Sequence, residues 1–215
     1  MPRFGETLKT LSTVTALVVA LGFAPLASAN IPKTFRSDSS GTLPAGVRKV
    51  SGKVERWVSW QDSRGDNVAI FSQETKEKAR KDGERLLSKS LYVTVFAGKD
   101  GKMKRVREVR ELANACLFDL TNEVRETSVG VTDLDGDGIG ELTFAYVTGC
   151  RSDVSPLGMK LLVLEGADKH ILRGTTRVNT GQEAVGGEFK AELGKRAPAS
   201  FLEHASKVWA KFVAE

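Results

Sequence analysis

The chain has 215 residues, 40% of them hydrophobic, and its 32 Lys and Arg against 27 Asp and Glu leave a formal charge of only +5. That hydrophobic content excludes a disordered chain, and the charge is too low and too scattered for a nucleic-acid partner. After residue 29 no apolar run approaches the ~18 residues that a membrane helix needs, so no membrane span is expected in the mature chain.

Taken in order, the chain opens with a weakly basic start at Arg3 and Lys9, an apolar stretch from Leu11 to Ala24, and the small residues Ala27, Ser28 and Ala29. This order predicts a secretory signal peptide over residues 1–29, cleaved before Asn30. No Cys follows the small residues, which disfavours a lipid anchor. The expected product is exported from a bacterium, to the periplasm, the cell surface or beyond. It keeps 186 residues and a charge of +4, enough for one domain with a core of its own. In an oxidising compartment Cys116 and Cys150 read as a disulfide, with two buried free thiols as the alternative.

Residues 30–51, with Pro32, Pro44 and a Ser/Gly cluster, read as a flexible leader. Residues 52–215 read as a single β-rich domain. Val54 to Trp60 and Val68 to Phe71 flank turn residues and predict a hairpin. Leu91 to Ala97 with Met103 to Val109, Val129 to Thr132 with Leu142 to Val147, and Met159 to Leu164 with His170 to Arg173 predict three more. The polar stretch from Gln73 to Lys89 reads as a solvated excursion or a short exposed helix. Phe201, Ala205, Val208, Trp209 and Phe212 recur at helical spacing, which predicts an amphipathic helix over 198–213 packed on the sheet. The fold class is therefore mainly β, an antiparallel sheet of successive hairpins in a sandwich or open meander, covered by a C-terminal helix.

One segment demands a chemical explanation. Asp133, Asp135, Asp137 and Glu141 stand at positions 1, 3, 5 and 9 of a loop with Gly138 at position 6, the pattern by which a tight loop wraps oxygens around a hard cation. Ile139, at position 7, would add its backbone carbonyl. A bound Ca²⁺ of structural type is expected. Position 12 is Phe144 rather than the bidentate Glu of an EF-hand, and the flanks are strand-like. The loop resembles instead the calcium hairpins of integrin-type FG-GAP repeats, with Glu141 where that pattern usually has Asp.

The run Cys150-Arg151-Ser152-Asp153-Val154-Ser155-Pro156, with Lys160-Leu161 and Glu165-Gly166 after it, resembles a family of small exported bacterial proteins known as surface polysaccharide biosynthesis proteins. The similarity extends to Trp60-Gln61-Asp62, to Cys116 through Leu120 and to Trp209. It implies a surface role and no particular reaction, and Asp133, Asp135, Asp137, Glu141 and the two Cys are the matching positions. Arg151 to Pro156 reads as a structural loop or as a ligand contact.

Lys102, Lys104, Arg105, Arg107 and Arg110 face only Glu108 in nine residues. Two-residue alternation would place Lys102, Lys104 and Arg110 on one surface. They form a candidate anion-binding edge for an acidic envelope glycan or a lipid head group, or else a charged guard on an edge strand. Neither His170 nor His204 stands in the sequence beside a Ser or Cys as a nucleophile-base pair would require. The expected function is a non-enzymatic binding or accessory role in surface polysaccharide processes. The alternatives are a carboxylate-dependent glycan-modifying enzyme and a protein-binding inhibitor or adhesion module.

Overall fold

The computed structural model describes residues 35–38, 42–181, 183–194 and 197–215; the expected signal peptide lies outside them. Strands β1 (Arg36–Asp38), β2 (Lys53–Asp62), β3 (Gly65–Ala79), β4 (Arg85–Lys99) and β5 (Lys102–Cys116) form one antiparallel sheet in chain order. Further along lie β6 (Asp119–Val124), β7 (Gly130–Thr132), β8 (Glu141–Arg151), β9 (Gly158–Glu165), β10 (Asp168–Thr175), β11 (Arg177–Asn179), β12 (Ala184–Gly186) and β13 (Phe189–Glu192). The second sheet has the order β13-β10-β9-β8-β6, with β7 also pairing β8, while β11 and β12 make a separate ribbon. Helix α1 (Ala199–Phe212) follows. The four expected hairpins are β2/β3, β4/β5, β7/β8 and β9/β10.

Alternation decides how the layers stack. Val58, Trp60, Ala69, Phe71, Val93 and Val95 of the first sheet share one buried cluster with Leu142, Phe144, Tyr146, Leu162 and Ile171 of the second. The Phe71 and Phe144 rings meet edge to face at 5.6 Å across the two sheets, a geometry their quadrupoles favour. Intervening residues of β8 and β9, Ala145, Val147, Met159, Leu161 and Val163, point the other way and receive Phe201, Ala205 and Trp209 of α1. Each buried Val, Leu, Ile, Met or Phe side chain among these contributes about 1.5–3 kcal/mol. Among the described residues no helix is long and apolar enough to cross a membrane.

Two expectations are corrected. From Gln73 to Lys89 there is neither a helix nor an irregular excursion: β3 and β4 stay paired from Gln73↔Leu91 to Ala79↔Arg85. The ribbon outruns the core, so its side chains lose their apolar alternation while the backbone keeps its ladder. Ion pairs such as Arg85–Glu77 (3.3 Å) and Arg80–Glu84 (2.7 Å) decorate it. Likewise residues 42–50 are not a free leader. Leu43, Val47 and Val50 pack on Val68, Ile70 and Phe96, the outer face of the first sheet, which would otherwise expose a continuous apolar patch.

Cys116 and Cys150 form a disulfide with Cα atoms 5.6 Å apart. It does not span the strand pair that carries the acidic loop. Cys116 ends β5, in the other sheet from β8, because β6 carries the chain across before the loop begins. The bond therefore ties the two sheets together, as does a polar link in which Glu111 accepts hydrogen bonds from Tyr146 Oη (2.8 Å) and Lys160 Nζ (2.5 Å). Closing a loop of 34 residues stabilises the fold by about 3–4 kcal/mol in the chain-entropy model. Urea unfolding with and without reductant should differ by that amount, and coincident curves would refute the bracing role.

Candidate metal centre

The acidic loop hangs between β7 and the start of β8. Gly136 and Gly138 take φ of 78° and 81°, the left-handed region that lets a chain double back within a few residues. The aspartates then fold onto the loop's own backbone. Asp133 accepts N–H bonds from Gly136 (2.8 Å) and Gly138 (3.1 Å), Asp135 from Asp137 (3.3 Å), and Asp137 from Ile139 (2.8 Å). Asp133, Asp135, Asp137 and Glu141 each bring one carboxylate oxygen within 4.8 Å of all the others. At that separation each pair of charges repels by about 0.9 kcal/mol in bulk water and about fourfold more at an effective dielectric of 20.

Glu141 is the informative member. As the first residue of β8 it shares the helix-covered face with Thr143, Ala145 and Val147, and it is fully buried. Its Oε2 accepts the Leu134 N–H at 2.8 Å. Its Oε1 is buried and has no hydrogen-bond partner among the described residues. Burial pushes this carboxyl up to about 8, and the neighbouring charges of Asp135 and Asp133 push in the same direction, against the Leu134 hydrogen bond. A buried acceptor left unpaired is costly, and a cation held by the loop would both satisfy it and neutralise the aspartates. The cluster can hold a metal ion. Ile139, the expected carbonyl donor, buries its side chain and gives its N–H to Asp137.

The loop does not stand alone. In the β2–β3 turn, Asp62 Oδ2 accepts the Gly140 N–H (3.2 Å) and the Trp60 indole N–H (3.3 Å), and its Oδ1 accepts the Arg64 N–H (2.9 Å). Ser63 N–H donates to the Gly138 carbonyl at 2.9 Å. Asp62 and Gly140 are 78 residues apart, so no sequence spacing could link them. Arg64 reaches Glu165 at 3.8 Å, where burial raises the Glu165 carboxyl and Asp137 and Asp135 raise it further. Beside the loop, Asp135, Glu165, Asp168, His170 and Phe201 line a recess of about 420 Å³. Ser63 and Arg64 thus form the turn that, with Asp62, braces the acidic loop, and Gly65 and Asp66 open β3.

The other candidates fall elsewhere. His170 accepts the Gly194 N–H and packs on Phe201. His204 bonds Thr143 Oγ1 at 3.1 Å, a partner the sequence does not suggest, and Thr143 is buried. In the Arg151 to Pro156 loop, Ser155 N–H donates to Asp153, and Arg151 bonds the Ser155 carbonyl and pairs with Glu215 at 2.7 Å. These contacts hold the loop and the C-terminus together.

The five bases of β5 do not divide as simple alternation predicts. Val95 pairs with Arg107 and Phe96 with Arg105, so Val106 is an extra, bulged residue. A bulge inverts the alternation beyond it. Lys102, Lys104 and Arg107 therefore take one side of β5, and Arg105 and Arg110 the other, where Arg110 lies over the Tyr92 ring at 5.6 Å.

Asp62→Ala should cost about 1–3 kcal/mol, the range for orphaning buried donors, and should appear as a lower melting temperature; an unchanged value would show that the turn does not brace the loop. No family model, curated protein or solved structure matches this chain.

Proposed function

We propose that this chain is an exported bacterial envelope protein whose β7–β8 loop binds a structural Ca²⁺, and that it serves surface polysaccharide processes by binding rather than by catalysis. The observation that carries the metal reading is the buried Glu141, whose Oε1 is unpartnered and whose carboxylate brings an oxygen within 4.8 Å of one from each of three aspartates. The donor set is all oxygen and rich in carboxylates, which suits Ca²⁺ better than Mg²⁺, an ion that keeps its waters, and better than metals that take nitrogen or sulfur. The Ile139 carbonyl is the fifth protein ligand. Phe144, at the twelfth position, is buried against Phe71 in the core, which agrees with a strand-flanked loop and not an EF-hand.

The envelope role rests on the signal-like N-terminus, the disulfide, and the resemblance to the surface polysaccharide family. The partner is an anionic glycan or a lipid head group of the envelope. The binding reading is supported by the hydroxyl–imidazole pair of Thr143 and His204, in which the Thr143 hydroxyl belongs to a buried residue and His204 is half-buried.

Calorimetry should give a dissociation constant of about 10⁻⁴ to 10⁻³ M, the range of extracellular modules. At 10 mM Ca²⁺ that affinity stabilises the fold by about 1.4–2.7 kcal/mol. Asp135→Ala should abolish both the heat and the rise in melting temperature, and Mg²⁺ should bind more weakly. Neither heat nor a thermal shift in the wild type would refute the metal site. A glycan and envelope-component screen of the mature protein tests the binding role, and a glycan cleaved or extended in that screen would replace it with an enzymatic one.

A further inference from the structure

We propose that the outer edge of β5, with residues Arg48 and Lys49 folded against it, binds a carboxylate-bearing polysaccharide laid along the strand. This deepens the binding reading above and is independent of the metal loop. Arg48, Lys49, Lys104 and Arg105 line a recess of about 370 Å³ over Phe96 and Met103, and no carboxylate lines it. An adjoining recess of about 410 Å³ continues past Lys49 and Arg105 to Thr94 and Glu108. Glu108 pairs with Arg105 at 3.2 Å, whereas the described ion pairs give no partner to Arg48, Lys49 or Lys104.

Backbone geometry assembles these cations. Gly46 takes a φ of 78°, and a Cβ there would lie 2.6 Å from the Gly101 carbonyl oxygen, so only glycine lets this segment settle on the β4–β5 turn. Val47 and Val50 then pack toward the sheet while Arg48 and Lys49 remain exposed. Pairing with Phe96 puts Arg105 on that same side, and the bulge at Val106 turns Arg107 to the other side with Lys102 and Lys104, of which Lys104 still borders the recess. Cations thus flank both sides of an edge that no other strand covers in the described sheet.

The span from Lys102 to Arg110 is about 25 Å of strand. A lipid head group presents its charge at one point, and peripheral proteins add projecting apolar side chains to hold a bilayer. Here Phe96 is buried in the floor, and Val106 is the one apolar side chain of this stretch that projects. A polymer with repeated carboxylates meets several of the cations at once, and linked contacts multiply. A recess floored by Phe96 and Met103 also offers apolar surface to the carbon face of a sugar ring.

The test is retention of the mature protein on immobilised polygalacturonate in Ca²⁺-free buffer at 50 and 300 mM salt, with sedimentation on phosphatidylglycerol vesicles in parallel. The wild type should be retained at low salt and released at high salt, as shortening of the Debye length requires. Arg48→Glu/Arg105→Glu should weaken retention at least tenfold. Lys78→Glu/Arg85→Glu, the same charge change on the distant β3–β4 ribbon, should weaken it less than twofold. Gly46→Val alters no charge but should displace Arg48 and Lys49 and weaken binding severalfold, with circular dichroism verifying the fold. Arg48→Gln/Lys49→Gln, two exposed changes, supplies the same answer if a charge-reversed variant misfolds. Equal losses from the two charge-reversed variants would overturn the site. So would absence of retention, or sedimentation with vesicles by a protein that polygalacturonate does not hold. Because Ca²⁺ is absent throughout, these results are separate from the calorimetric test of the loop.

Discussion

The contact between the two sheets, centred on Phe71 and Phe144, is the constraint on which the other layers depend. A strand has two faces, and once inward side chains have met, the outward ones must be wetted or covered. In both sheets the outward faces are also apolar. The second sheet is covered by α1, whose Phe201, Ala205 and Trp209 fill that surface. Leu43, Val47 and Val50 cover the first, before the strands of that core begin. The result is four layers in which the two outer ones come from opposite ends of the described chain.

The acidic loop inherits its geometry from this stack. β8 is buried on both faces, so its first residue enters the protein interior whatever its chemistry, and that residue is Glu141. An isolated carboxylate there would be destabilising. The loop folds back and gives it the Leu134 N–H, which favours its charge, while the aspartates gathered beside it oppose that charge. Asp62 fixes the loop from the other sheet, which makes the centre a joint between the two sheets. The disulfide and the Glu111–Tyr146–Lys160 link join the sheets at β5 and β8, away from the loop. Sheet packing, loop and covalent bond thus resist the same opening motion from different sides.

Charge is segregated in the same frame. Carboxylates gather where β7, β8 and the β9–β10 turn converge, with Arg64 as a partial counterweight. Cations gather along β5, the other end of the first sheet's strand order from β1. A net charge of only +5 conceals these two regions of opposite sign, and each can attract its own class of partner.

Much of this was legible in the sequence. Period-two apolar runs with Gly and Asp turns specified the four hairpins, the stripe from Phe201 to Phe212 specified the helix, and the spacing of Asp133, Asp135, Asp137 and Glu141 specified the loop, because each signal lies within a few residues of chain. The two Cys suggested their bond through composition alone. What the sequence could not carry were relations between distant residues. Nothing local marks Gln73 to Lys89 as paired strands, since its ladder is made by backbone groups common to every residue. The docking of residues 42–50 depends on an apolar face made elsewhere. The burial of Glu141, its orphaned oxygen and its link to Asp62 follow from sheet stacking, and the split of the basic strand follows from one bulged residue, Val106. Local periodicity determines which elements form; only tertiary packing decides which face of each is covered and which charge is left without water.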